Sequence, residues 1–429
     1  MTCEVAVLNR MAVALAADSA VTFSAFADGQ LKRTYASGAN KIFQLSTIAP
    51  VGVMLFNNAT LQDVPWELII KSFRTKLGTN VKNSVREYAD ALSEFVRTSA
   101  DLFPPAHREK HFKQLAARSV FYLLLKAQTE KPVLASAGDL ALQQAAITDF
   151  FASETAVNAA TTLNPIFVDA DIANAKNSHA GWLAHEIATY LTDSPQLQHL
   201  AAVISAQEFA ELAIDSLYRF YHVHFNSNHT GIVVAGFGDH DFFPLYSELG
   251  YYGFLLDRLV VEHVASKAIN HDVEAVIEAF AKKSMVDTFV SGFGPEVWAT
   301  VNGLFRTHAS QFVNGLALAP AIAATVPTLL ATAEGEFAKA WSDQIWQTHY
   351  GPLKNVISGL PPNEMAELAE TLVMLESLKE KVTERTQSVG GPVDVAVITK
   401  SEGLVWIKRK HYFSPELNPR YFARQSQTQ

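Results

Sequence analysis

Cysteine is almost absent: Cys3 is the only one in 429 residues. An intramolecular disulfide and any multi-cysteine metal site are therefore excluded, and a reducing, cytoplasmic location is expected. Charge is also scarce, at 18% of residues, and the formal net charge is −9. That balance argues against a nucleic-acid binder or a binder of anionic membranes. No uninterrupted apolar run is long enough to span a membrane; the nearest, Leu316–Ala333, is broken by Pro320 and Pro327. The first residues lack a secretory pattern, with acidic Glu4 early and Arg10 late, so no signal peptide is expected. Cofactor signals are missing as well. Gly236-Phe237-Gly238 lacks the rest of a dinucleotide fingerprint, and His185-Glu186 lacks the second His of a zinc-protease helix. His222, His224, His229 and His240 cluster in sequence, but read better as satisfied or exposed histidines than as metal ligands. No cofactor and no metal are expected.

What is present is apolar: 49% of residues are hydrophobic, enough for a sizeable core and against disorder. Val5–Leu8 and Met11–Ala17 read as two strands turning at Asn9-Arg10. Ile42–Thr47 and Val51–Phe56 form a second pair. Both pairs are short and apolar on both faces, as in a sheet covered on both sides. Helical spacing follows over Val64–Leu77, where Trp66, Ile69, Ile70 and Phe73 share a face.

From about Val81 to Phe225 the stripes are helical, for example Tyr88, Leu92, Phe95 and Val96, with Thr155–Asn177 reading as an irregular loop. Strand character returns at Gly231–Gly236, Phe242–Leu249 and Arg258–Ala265, followed by helix around Val273–Phe289 and again over Thr300–Thr348. The last helix has Asn363 as its expected N-cap and stops before Gly390-Gly391-Pro392. Val393–Thr399 and Leu404–Lys408 then read as a closing hairpin, and the polar tail after Ser414 is expected to fray. This order suits an α+β fold with two packed sheets and helices outside.

Thr2 follows Met1, and a small second residue is what Met1 removal exposes. One residue then carries a hydroxyl nucleophile and a free α-amine. With a reference pKa of ~7.7–8.0, that amine can act as general base for its own side chain.

Thr2-Cys3-Glu4-Val5-Ala6-Val7, followed by Val13-Ala14-Leu15-Ala16-Ala17-Asp18-Ser19, resembles the start of a mature proteasome β-type subunit. Asn40-Lys41-Ile42-Phe43-Gln44-Leu45 resembles that family's lysine-bearing strand. Gly52–Phe56, Gly231–Phe237, the helix over 364–385 and Gly390-Gly391-Pro392-Val393-Asp394-Val395 are similar to later family elements in the same order. The resemblance covers about half of the chain. It implies the N-terminal nucleophile (Ntn) hydrolase fold, a four-layer αββα sandwich, with a large helical insertion. The core would occupy residues 1–80 and 206–413 with a helical elaboration near 300–348, the insertion 81–205 and the polar tail 414–429. It implies Thr2 as nucleophile, Lys41 beside it keeping the local potential positive, and Asp18 holding Lys41.

Without the resemblance, Asp18 reads as a turn former or exposed carboxylate and Lys41 as a snorkelling surface residue, while Lys32 and Arg33 compete as the cation. Two departures from the family pattern stand out. Its Gly-rich oxyanion turn is replaced by Leu55-Phe56-Asn57-Asn58-Ala59, where a backbone N–H survives but a Phe would narrow the cleft. Its supporting Asp and Ser near the final helix end have only Glu384, Thr386 and Ser388 as counterparts, with Ser284 a further candidate Ser. The implied activity is hydrolysis of a peptide or other amide through an acyl-enzyme, by a homo-oligomer with any unfoldase partner unspecified. The alternative is a catalytically degenerate scaffold or binding protein.

Overall fold

The computed structural model describes residues 2–27, 30–225, 229–316, 318–383, 389–411 and 413–426. The chain opens with β1 (Cys3–Asn9), β2 (Ala12–Ala17), β3 (Ala20–Ala27), β4 (Gln30–Ser37), β5 (Ile42–Gln44) and β6 (Val51–Asn57). The two-residue strands β7 (Thr60–Leu61) and β8 (Val64–Pro65) lead into α1 (Trp66–Leu77) and α2 (Val85–Thr98). A helical stretch follows: α3 (Pro105–Glu130), α4 (Leu140–Ala160), α5 (Asp169–Asp193), α6 (Ala206–Arg219) and α7 (Tyr221–Phe225). Strands resume as β9 (Thr230–Gly236), β10 (Leu245–Leu255), β11 (Arg258–Ala268) and β12 (Ala275–Ala281). Then come α8 (Ser284–Ser291), α9 (Pro295–Asn314), α10 (Pro320–Ala323), α11 (Val326–Ile345), α12 (Gly351–Ser358) and α13 (Pro362–Thr383). The chain closes with β13 (Asp394–Thr399), β14 (Gly403–Lys408) and α14 (Pro419–Ser426).

Two five-stranded antiparallel sheets form, in the orders β12-β1-β2-β13-β14 and β11-β10-β9-β6-β5. The period of two sorts their side chains. In β1 and β2, Cys3, Val5, Val7, Ala12, Ala14 and Ala16 meet Ala366, Ala369, Leu372 and Val373 of α13. Alanines on both sides let helix and strand approach closely. The alternate residues Ala6, Leu8, Val13 and Leu15 face Met54, Phe56, Val233 and Tyr246 of the second sheet. That sheet's other face packs Val53, Leu55, Ile232 and Val234 against Trp66, Ile69, Tyr88 and Leu92 of α1 and α2. Helices thus cover the outer face of each sheet, and the sheets share a largely apolar interior.

The β1–β2 turn is fixed by Asn9, which is fully buried. Its Oδ1 accepts from the Met11 and Ala12 N–H groups at 2.9 and 3.2 Å, and its Nδ2 donates to the Ile357 and Leu360 carbonyls at 3.1 and 2.9 Å. The asparagine therefore shapes the hairpin and also ties it to the end of α12.

α3 to α7 build a separate core around Phe112, Leu123, Phe150, Leu183 and Phe209, joined to the second sheet at Leu255 and Val260. α9 and α11 bury no residue and face each other through Trp298, Phe305, Phe337 and Trp341. Among the described residues no helix is long and apolar enough to cross a membrane.

Four local expectations fail. Residues 275–281 form a strand against β1 rather than a helix, because Ala275, Val276, Ala279 and Phe280 fill the sheet interior. Most of 155–177 belongs to α4 and α5, leaving a loop only over 161–168. Asn363 lies inside α13, one residue past its start. Pro419–Ser426 is helical where fraying is expected.

Candidate active site

The first residues of β1, the end of β2 and the entry to β5 converge. Thr2 is 4% exposed, and its carbonyl accepts from Lys282 N at 3.0 Å, extending the β1–β12 ladder by one rung. Asp18 directly follows β2 and takes four donors on one carboxylate. Cys3 N and Lys41 Nζ reach Oδ1 at 3.2 and 2.5 Å, and Ala20 N and Gly390 N reach Oδ2 at 3.3 and 2.8 Å. Gly390 returns a contact by accepting Ser19 N at 3.2 Å. Gly391 is required here: its φ is +80°, and a Cβ would lie 2.5 Å from Ser19 Oγ.

Lys41 is placed by its own backbone, whose carbonyl accepts Leu55 N of β6 at 2.8 Å. Its ammonium is buried between two carboxylates, 2.5 Å from Asp18 Oδ1 and 3.1 Å from Glu4 Oε1. The second contact is an ion pair without an aligned hydrogen bond. Burial alone would lower the Lys41 pKa, but the charges of Glu4 and Asp18 hold it above the ordinary lysine value.

Glu4 completes the group. It is 0% exposed, and its Oε2 accepts the Thr2 hydroxyl at 3.1 Å. Burial pushes its pKa up to about 7, with Lys41 pulling down and Asp18 pushing up. The contacts therefore run from Thr2 to Glu4 to Lys41 to Asp18. Among the described residues no hydrogen bond joins Thr2 to Lys41 directly; Glu4 bridges them.

Further charged groups lie behind the Thr2 backbone. Lys282 pairs with Glu380 of α13, which also accepts Val389 N, beside Gly390. Ser284 donates to Glu376 at 2.9 Å and accepts from Lys379 Nζ at 2.8 Å, while Met285 N reaches Glu376 at 2.7 Å. Ser284 thus anchors the segment that holds the Thr2 carbonyl to α13. Cys3 is buried, and burial followed by the nearby carboxylates raises its thiol pKa well above the ordinary value, so it is no ready nucleophile.

Phe56 is buried. Its ring lies between the sheets, 5.5 Å from Phe280, in the space left by Gly231, where a Cβ would come within 1.9 Å of the ring. Asn57 leaves β6 exposed, with φ +66° and Nδ2 2.9 Å from His229 Nε2. Ser388, Glu384 and Thr386 lie outside the described residues, as do the side chains of Lys32 and Arg33. His224 is buried against Ser216 and Ser119, at 3.2 and 3.5 Å. An open groove of about 710 Å³ lies in the helical stretch, lined by Ile147, Phe151, Lys176, Glu208 and Asp215, with none of the residues around Thr2.

Sequence reading missed Glu4, Glu376 and Glu380. Glu4 had a usable signal: a charged residue inside an apolar strand is almost never fully buried without a partner. The other two sit in a helix that reads as ordinarily amphipathic.

No family model matches the chain. No curated protein matches it either. Among solved structures it is similar to an Anbu (Gly-1) mutant from Hyphomicrobium sp. strain MC1, at 8% identity and a TM-score of 0.33, with 100% of this chain and 96% of that chain covered. At that score the likeness decides nothing about fold or chemistry.

Proposed function

We propose that the chain is a proteasome-like Ntn amide hydrolase with Thr2 as nucleophile once Met1 is removed. The observation that carries this reading is the buried chain of contacts from the Thr2 hydroxyl through Glu4 and Lys41 to Asp18. Two apolar sheets with helices on both outer faces support the αββα sandwich. Residues 1–80 and 206–413 would form its core, 81–205 the helical insertion and 300–348 an outer elaboration. In the reaction the Thr2 oxygen attacks an amide carbonyl, and water later releases the acyl group. Asp18 and Lys41 fix the charge beside the nucleophile. The oxyanion donor is Asn57 N–H. Leu55 N points to Lys41, and Asn57, two residues on, points to the same edge beyond the end of β5. A homo-oligomer and a peptide or other amide substrate go with this reading.

The burial of Thr2 and the engagement of its hydroxyl favour a second reading, a scaffold without turnover. Intact mass of the purified protein tests the hydrolase reading at its first step. The hydrolase reading expects a chain lacking Met1, and a chain retaining Met1 overturns it.

A further inference from the structure

We propose that Glu4 is the general base that takes the Thr2 hydroxyl proton; this rests on Thr2 being the nucleophile. The geometry selects Glu4 among the side chains at the site. Its Oε2 is the acceptor to which the hydroxyl points, at 3.1 Å, within the range for proton transfer. Lys41 stays protonated between two carboxylates, so it has no free electron pair to offer. Both oxygens of Asp18 are already committed, Oδ1 to Cys3 N and Lys41 and Oδ2 to Ala20 N and Gly390 N.

The step balances within the site. The Thr2 O–H bond breaks and its proton passes to Glu4 Oε2. The oxygen's electron pair forms a bond to the amide carbon, and the carbonyl π pair moves onto the carbonyl oxygen. Collapse breaks the C–N bond, and the leaving nitrogen takes the proton from Glu4. Water then attacks the acyl ester and gives a proton to Glu4. Thr2 Oγ leaves and recovers that proton. One amide and one water yield one acid and one amine, with Glu4 again ionised.

The groups facing Glu4 set when it can act. Lys41 approaches from the entry to β5 and Asp18 from the end of β2. β12 presents Phe280 at this register, and the Lys282 ammonium beyond it is paired with Glu380. β6 contributes the Phe56 ring, stacked on Phe280. Cys3, next on β1, points to the α13 face. Burial raises its pKa to about 7, so the basic form of Glu4 grows in as pH rises through neutrality, whereas an ordinary glutamate is ionised throughout that range.

The test is the rate of Thr2 acylation by a β-lactone, read by mass, from pH 5.5 to 9 in wild type and Glu4→Gln. The expected result is a wild-type rate rising through about pH 7, a loss of roughly 100-fold or more in the variant, and no rise in what remains. Glu4→Asp is the companion variant, expected to keep a limb displaced from its wild-type position. A Gln variant that keeps its rate, or keeps a limb at the ~7.7–8.0 of a terminal amine, overturns the role of Glu4 and leaves Thr2 as nucleophile. A wild-type protein that is never acylated at Thr2 overturns both.

Discussion

Replacing Glu4 with Gln should stabilise the folded protein at alkaline pH and leave it nearly unchanged in acid. The carboxyl binds its proton more tightly folded, where its pKa is about 7, than unfolded, where the ordinary value is 4.5. Unfolding between those values releases a proton, so the Glu4 contribution to stability falls as pH rises through that window. At about 1.36 kcal/mol for each tenfold difference in proton affinity, the loss above pH 7 comes to about 3 kcal/mol. Glutamine keeps the shape of the neutral acid and carries no charge to bury, so it escapes that loss. With about 2.1 cal/mol/K of unfolding entropy per residue over 429 residues, about 3 kcal/mol corresponds to a Tm rise of roughly 3–4 °C. Paired thermal melts at pH 5 and pH 8 give the required double difference, and urea midpoints at the same pH values check it. Equal effects of the substitution at both pH values would refute the assignment of a high pKa to this buried carboxyl.

Lys41→Met leaves Glu4 and Asp18 buried and facing one another without their shared cation. A loss of roughly 3–5 kcal/mol is expected, larger at pH 8 than at pH 5, and a urea titration at both pH values reads it. Gly231→Ala drives a methyl into the Phe56 ring, 1.9 Å away. It should cost about 3 kcal/mol, and Phe56→Leu in the same chain should recover part of that, a coupling that a double-mutant cycle measures.

Legibility in the sequence followed the physics of each element. Strands with apolar residues on both faces announced themselves because both sides are covered, and Asn9 marked its turn because a buried hairpin needs a side chain to satisfy its backbone. Ala275–Ala281 was misread because its side chains answer to the register with β1, which local spacing does not reveal. The hairpin of β3 and β4 between Asp18 and Lys41 went unread. At the site, the Asp18–Lys41 contact spans 23 positions in sequence, and only resemblance suggested it. Glu4 stood in plain view within an apolar run, yet its meaning depends on Lys41 arriving from another sheet.

Everything proposed for the site depends on the Thr2 hydroxyl being a nucleophile. The most direct measurement is tandem mass spectrometry of the N-terminal peptide after exposure to a β-lactone, beside a Thr2→Ala control. The expected result is an acyl ester on Thr2 of a chain lacking Met1 and none in the control. An unmodified Thr2 in folded protein, or equal labelling of the control, would contradict it.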